Sequence, residues 1–202
     1  TWVCDPCARA TPLYAPPWCL GCGIPLALGH CACANTPPGV TLIRSVGSYE
    51  GWLREAIIAF KYQDERARAD HLGAHLSDRL PTLGGLDALT FVPLHRSRQR
   101  RRGYNQSELL ARVAGASAGL RVLTTLSRTR ETAPQVGLHA SQRQQNVRGA
   151  FSPVAGVSIN GLRLGLIDDV LTTGATIGEC ATALGEAGAR SVSVLVLARD
   201  SI

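Results

Sequence analysis

The sequence predicts an α/β fold, a parallel sheet flanked by helices, behind a small cysteine-rich module at the N-terminus. Three observations carry this reading. From residue 41 onward, apolar strand-like runs alternate with helix-periodic segments, the pattern of βαβ units. One apolar run, Leu162–Asp168, passes through a Thr/Gly loop into a helical segment and then into the β-branched run Ser191–Ala198. Such a unit needs two parallel strands joined by a crossover. Six of the seven cysteines fall within the first 33 residues. That is a local cluster rather than a disulfide framework, and it reads as metal binding in a reducing compartment. The expected division is residues 1–40 for the cysteine module and 41–202 for the α/β domain.

The elements follow in chain order. Thr41–Tyr49 ("TLIRSVGSY") reads as a strand. Gly51–Tyr62 places Leu53, Ala56, Ile57 and Phe60 on one helical face. Arg66–Leu80 reads as a second helix, stopped by Pro81. Leu89–Leu94 is a short buried-type strand, and Asn105–Ala118 a helix with Leu109, Leu110 and Val113 inward, broken by Gly119. Arg121–Leu126 is a weaker strand candidate. Thr129–Gly149 is polar and weakly periodic, a loop running into a short helix. Leu162–Asp168 is a strand, Ile177, Cys180, Ala181 and Leu184 mark a helix ended by Gly188, and Ser191–Ala198 is the last strand.

Composition sets bounds on function. The chain has 202 residues, 45% hydrophobic and 18% charged, which suits one full-sized soluble domain with a small appendage. No apolar run approaches membrane-span length and no signal peptide is legible, so no membrane insertion and a cytoplasmic location are expected. The chain contains no methionine, so residues upstream of Thr1 are expected to be missing. The net charge is +6, unevenly placed: between Phe91 and Ala150 eleven arginines face two glutamates, a local +9. Lys61 is the only lysine. Arginine binds phosphate oxygens through a bidentate fork that lysine lacks, so a basic middle points to phosphorylated ligands or nucleic acid. The alternative is a GC-rich genome that writes arginine for lysine on solvated faces.

The chemistry concentrates in "LIDDVLTTGAT", Leu166–Thr176. In an open parallel sheet, ligands bind beyond the carboxyl ends of the strands, and Asp168 and Asp169 are expected at such an end. The loop after them enters a helix N-terminus, whose backbone amides and dipole favour an anion. Thr172, Thr173 and Thr176 add hydroxyls, Ala175 lies in the first helical turn, and Gly174 permits close approach. The loop should hold a phosphate, and the two carboxylates should face sugar hydroxyls or a magnesium ion. A phosphate on such a sugar is a ribose 5-phosphate. The loop is not of the Walker type, because no lysine follows the glycine.

"GLIDDVLTTGAT" resembles the signature of type I phosphoribosyltransferases, which bind phosphoribosyl pyrophosphate (PRPP). "VPLHRSRQRRRGYNQSELLA" (Val92–Ala111), "RTRETAPQVGLHASQRQQNVRGAF" (Arg128–Phe151) and "FKY" (Phe60–Tyr62) resemble the ComF (competence protein F) family, close to its GntX-like members. The resemblance covers nearly the whole chain. It implies a type I phosphoribosyltransferase fold used in uptake of transforming DNA, in the cytoplasm, beside a helicase-like partner of the competence system. Two roles are open for the arginine segment. Pro93, Leu94, His95 and Arg96 would clamp the pyrophosphate of PRPP. Arg98, Arg100, Arg101, Arg102, Tyr104 and Asn105 would track single-stranded DNA, with Tyr104 stacking on a base. The plainer alternatives are a solvated basic turn for Arg98–Arg102 and a helix cap for Asn105. Gln135, Arg143 and Asn146 are candidates for a loop over the site. In an active transferase Asp168 and Asp169 would be the catalytic carboxylates, with magnesium bridging pyrophosphate and ribose and an oxocarbenium-like state stabilised electrostatically. No segment reads as a nucleobase acceptor pocket, which favours a binding role in DNA uptake over a transferase of nucleotide salvage.

Cys4-x2-Cys7, eleven residues, then Cys19-x2-Cys22 is a zinc spacing. A structural zinc on these four thiolates is expected. His30-x2-Cys33 offers a competing pair for Cys19 and Cys22, and Cys31 lies beside it. Cys180 falls on a helix face and reads as a core residue.

Overall fold

The computed structural model describes residues 3–11, 13–19, 21–29, 36–63, 65–131 and 145–200. Four parallel strands form the main sheet: β1 (Leu42–Ser48), β2 (Ala88–Phe91), β5 (Arg163–Leu171) and β6 (Ser191–Arg199), in the order β1-β6-β5-β2. Two short strands, β3 (Leu126–Arg128) and β4 (Phe151–Pro153), pair antiparallel in a separate ribbon. The helices are α1 (Asp5–Ala10), α2 (Gly51–Tyr62), α3 (Arg68–Ser77), α4 (Arg96–Arg102), α5 (Gln106–Ala118) and α6 (Ala175–Glu186). The expected α/β architecture, a parallel sheet flanked by helices, is present.

Two-residue alternation along the central strands divides the core between the two faces. Ile167 of β5 and Leu195 and Leu197 of β6 pack with Leu53, Ile57 and Phe60 of α2, Leu72 and Leu76 of α3, and Leu110 of α5. Leu164, Leu166, Val192, Val194 and Val196 turn the other way, onto Ile177, Cys180 and Leu184 of α6 and Phe151 of β4. Strands buried on both faces are expected to be continuously apolar, and β6 is so from Val194 to Ala198.

Several expected elements differ in extent. The second helix is shorter than Arg66–Leu80, because a 3-10 turn at Leu80–Leu83 takes up Pro81. Arg121–Leu126 makes only a single bridge, Leu89↔Val122, before β3 begins. Strand β5 does not stop at the aspartates. It runs through them to Leu171, with Asp168 opposite Val196 and Val170 opposite Ala198. A flanked central position overrides the poor strand preference of aspartate. The arginine run is a helix rather than a turn, since arginine is a good helix former and His95 accepts a bond from the Ser97 N–H at its start.

The N-terminal segment packs onto this frame. Cys19–Ile24 folds back on itself through Gly23 N–H to the Cys19 carbonyl (3.0 Å) and Cys19 N–H to the Ile24 carbonyl (2.8 Å). This knuckle docks on the sheet through Ile43 N–H to the Gly21 carbonyl, 3.0 Å. The buried Arg199 guanidinium donates to the Cys22 carbonyl at 2.9 Å. Cys180 is buried on the inner face of α6, as its helix-face position predicts.

Candidate functional site

The site lies where β5 and β2 end. Parity along β5 sends Asp169 toward the face of Ile167 and α2, and Asp168 toward the opposite one. Asp169 meets Lys61, in the last turn of α2, with Oδ1 2.7 Å from Nζ. Both side chains are largely buried. Asp169 Oδ2 is also buried and has no hydrogen-bond partner among the described residues. Asp168 Oδ1 accepts from the Ser107 hydroxyl (2.8 Å) and from the Asp169 N–H (2.9 Å). Burial and the neighbouring Asp169 push the Asp168 carboxyl up to about 7, against the opposing pull of Ser107 and Lys61. Burial alone would lower the Lys61 ammonium, but Asp169, with Asp168 behind it, holds it above its ordinary value.

The loop beyond β5 leads directly into α6. Thr172 is half-buried, Thr173 is exposed, and Ala175 and Thr176 are half-buried at the start of α6. Gly174 caps α6 with φ 77°, a left-handed conformation that favours glycine. A Cβ there would lie 2.5 Å from Pro37 Cγ, so the segment after the cysteine module braces the loop from outside. The first helical bond runs from Gly178 N–H to the Gly174 carbonyl at 2.8 Å. The turn ahead of it carries the positive end of the helix dipole.

The arginine segment leaves β2 beside this loop. Pro93 is buried and Leu94 half-buried. His95 caps α4, bonds Ser97 Oγ at 2.8 Å and lies 3.8 Å from Glu131. Arg96 is exposed. Helix α4 has no buried residue. Arg98, Arg100, Arg101 and Arg102 line an open groove of about 500 Å³ together with Lys61, Tyr62, Arg66 and Gly103. Six cationic side chains thus share one groove with no acid among the lining residues. Through Lys61 it abuts the acidic pair. Tyr62 is 68% exposed, and the Arg102 guanidinium lies 5.2 Å from its ring centre.

Two expected DNA contacts are corrected by this geometry. Tyr104 is 6% exposed, its hydroxyl donates to the Phe60 carbonyl, and its ring lies between Phe60 and the Arg66 guanidinium. No base can reach it. Asn105 is buried and caps α5, its Oδ1 accepting from Ser107 N–H and its Nδ2 donating to the Val92 carbonyl. It joins the end of β2 to the start of α5 and so sets Ser107 against Asp168.

Lys61, Ser107 and Tyr62 had no role assigned from the sequence. The available signal for Lys61 was its singularity in a chain that otherwise writes arginine. Arg128, buried beside Phe151, also lies within electrostatic reach of Asp168. Arg130 donates to the carbonyls of Asn146 (3.3 Å) and Arg148 (2.6 Å). Gln135 and Arg143 lie outside the described residues, as do His30, Cys31 and Cys33. Cys4 and Cys7 are exposed, one on either side of the start of α1. Cys19 and Cys22 sit together in the knuckle. Among the described residues no three His, Cys, Asp or Glu side chains converge on one point.

The fold and site together define an α/β protein in which the carboxyl-terminal part of an inner strand carries an acidic pair, followed by a Thr/Gly loop and neighboured by a basic groove. Comparison with known proteins gives the family. The chain is 33% identical to Competence protein F of Haemophilus influenzae over 98% of its own length and 90% of that protein's. It is 34% identical to DNA utilization protein YhgH of Salmonella typhi and 27% identical to Competence protein ComFC of Bacillus subtilis, over 98% of the chain in both cases. It covers 90% of the first and 84% of the second. The chain belongs to the competence protein F family. No family model matches it. Among solved structures it aligns with the glutamine PRPP amidotransferase of B. subtilis (TM-score 0.46, 26% identity, 65% of this chain and 26% of that one). It also aligns with a hypoxanthine phosphoribosyltransferase of Staphylococcus aureus (TM-score 0.38, 15% identity, 69% and 68%). Among the described residues, no helix is long and apolar enough to cross a membrane.

Proposed function

We propose that this protein is a competence protein of phosphoribosyltransferase type that handles incoming single-stranded DNA and binds PRPP, with both ligands meeting at one basic groove. The observation that carries the reading is that groove: six cations, no acid among its lining residues, and an acidic pair immediately behind Lys61. Clustered arginines track a phosphate backbone. The relatives named for competence and for DNA utilization support a role in DNA uptake. The cytoplasm, beside a competence helicase, is the place where such a groove would meet a strand as it enters.

For PRPP, the residues present fit the ligand. The loop Thr172–Thr176 would take the 5-phosphate, and Asp168 and Asp169 the ribose hydroxyls. The orphaned, buried Oδ2 of Asp169 is an acceptor in need of a donor or a cation. His95, Arg96 and the Pro93–Leu94 backbone would lie toward the pyrophosphate. Magnesium carried by the pyrophosphate would neutralise charge at the carboxylates. Calorimetry of PRPP with Mg²⁺ tests this part. Binding should be lost in Asp168→Asn/Asp169→Asn while circular dichroism stays native. Unaltered affinity would remove the acidic pair from the site.

A second reading, an active phosphoribosyltransferase of nucleotide salvage, is favoured by the same acidic pair and its loop. Pyrophosphate release on addition of a nucleobase would establish it. Cys4, Cys7, Cys19 and Cys22 are proposed to hold a structural zinc, because each pair is already gathered and thiolate is a strong zinc ligand. Metal analysis should find about one equivalent by the four-ligand rule, and none would sink the assignment.

A further inference from the structure

Among the described residues only three large hydrophobic side chains are exposed: Leu26, Leu28 and Tyr62. The two leucines bracket a 3-10 turn in the N-terminal segment. Tyr62 is different in kind. It ends α2, is the most exposed of the three at 68%, and lines the basic groove between Lys61 and the arginines of α4. Exposed aromatics carry a large apolar area that folding would normally hide. Here the ring is held in place, with the Arg102 guanidinium 5.2 Å from its centre. Arg102 is itself fixed by a hydrogen bond to Gln106 on α5. Tyr104, the other tyrosine at this end of the groove, is buried under Arg66 and is not available.

We propose that Tyr62 is the base-stacking platform of the groove, and that this makes the groove selective for unpaired strands over duplex. The inference rests on the single-stranded DNA reading above and adds the residue and the selectivity. Phosphates along the strand would meet Arg98, Arg100 and Arg101, and one base would lie on the ring. A duplex keeps its base faces inside its own stack, so it can use the arginines but not the tyrosine. An acidic peptide would satisfy the cations equally well but has no flat face to set against Tyr62. A single strand therefore accounts for both features of the groove.

The test is fluorescence anisotropy with a labelled oligothymidine, a duplex of equal length, and inorganic polyphosphate as competitor. Stacking of one base corresponds to about a 5- to 160-fold change in affinity. Tyr62→Ala should lose that much for the single strand and little for duplex or polyphosphate, while Tyr62→Phe keeps wild-type affinity. Quenching of 2-aminopurine in the strand should disappear in Tyr62→Ala and persist in Tyr62→Phe. Equal affinity of Tyr62→Ala and wild type for oligothymidine overturns the proposal. So does an equal loss for single strand, duplex and polyphosphate, which would mean that Tyr62 only positions Arg102. If poly-glutamate displaces the strand and binding ignores the ring, the groove is a site for acidic peptides. If the wild-type protein binds no single strand at all, the DNA reading fails and this inference falls with it. The variants keep the fold intact because the ring is exposed at a helix end.

Discussion

Replacing Arg100, Arg101 and Arg102 together by alanine gives the sharpest view of the groove. Helix α4 buries none of its residues, and alanine is the strongest helix former, so the fold should survive. The three side chains are not equivalent. Arg100 and Arg101 are exposed, whereas Arg102 is half-buried, donates to Gln106 and lies over Tyr62. Each phosphate contact on a single strand contributes about 0.7 to the slope of log affinity against log salt. Two full contacts and one partial contact give a loss of slope between about 1.4 and 2.1. If five arginines engage in the wild type, affinity should fall about 130-fold between 50 and 200 mM salt, and only about 7-fold to 18-fold in the variant. The assay is anisotropy of a labelled single-stranded oligonucleotide over that salt range. An unchanged slope would refute the reasoning, even if affinity dropped, because it would mean these arginines meet no phosphate.

Other expectations follow from the same geometry. Tyr104→Phe removes a buried hydrogen bond to the Phe60 carbonyl, which should cost about 1 kcal/mol of stability. Oligonucleotide affinity should stay unchanged, and a large loss of affinity would restore Tyr104 as a DNA contact. Gly174→Ala puts a Cβ on a residue at φ 77° and 2.5 Å from Pro37 Cγ. Thermal denaturation should show a loss of about 1–2 kcal/mol from the backbone alone, with part of any further loss recovered on adding Pro37→Ala. No loss in Gly174→Ala would contradict the bracing contact. The Asp168 carboxyl, raised from 3.8 to about 7, binds its proton more tightly folded than unfolded. Its contribution to stability is complete below the unfolded value and is lost as pH rises through the folded one. Tm should therefore decline from about pH 4 to about pH 7 and level off above it, and Asp168→Asn should flatten that decline. A pH profile of Tm that the substitution leaves unchanged would count against the raised value.

Much of this was readable from periodicity. Helix α2 runs from Gly51 to Tyr62 as its apolar spacing implied, and α5 begins one residue after its cap Asn105. Both have one face against the sheet, so the burial pattern is written in the sequence. The extension of β5 through Asp168 and Asp169 was not readable. It depends on β6 lying alongside as far as Arg199, a contact between distant segments. The site divides the same way. The acidic pair, the loop and the arginine cluster are local motifs. The bond from Ser107 to Asp168, the ion pair of Lys61 with Asp169, and the burial of Tyr104 under Arg66 depend on how α2 and α5 pack across the sheet. A tyrosine that follows an arginine run and a glycine looks like a stacking residue in sequence, and only packing shows that Tyr62, not Tyr104, faces the groove.

The most direct test of the central claim is calorimetric titration of PRPP with Mg²⁺, repeated in the presence of increasing amounts of a short single-stranded oligonucleotide. With Asp169 of the PRPP site paired to Lys61 in the groove wall, PRPP should bind in the absence of DNA, and its apparent affinity should fall steadily as oligonucleotide is added. PRPP affinity that is indifferent to saturating DNA, or no PRPP binding in any mixture, would contradict a single site for both.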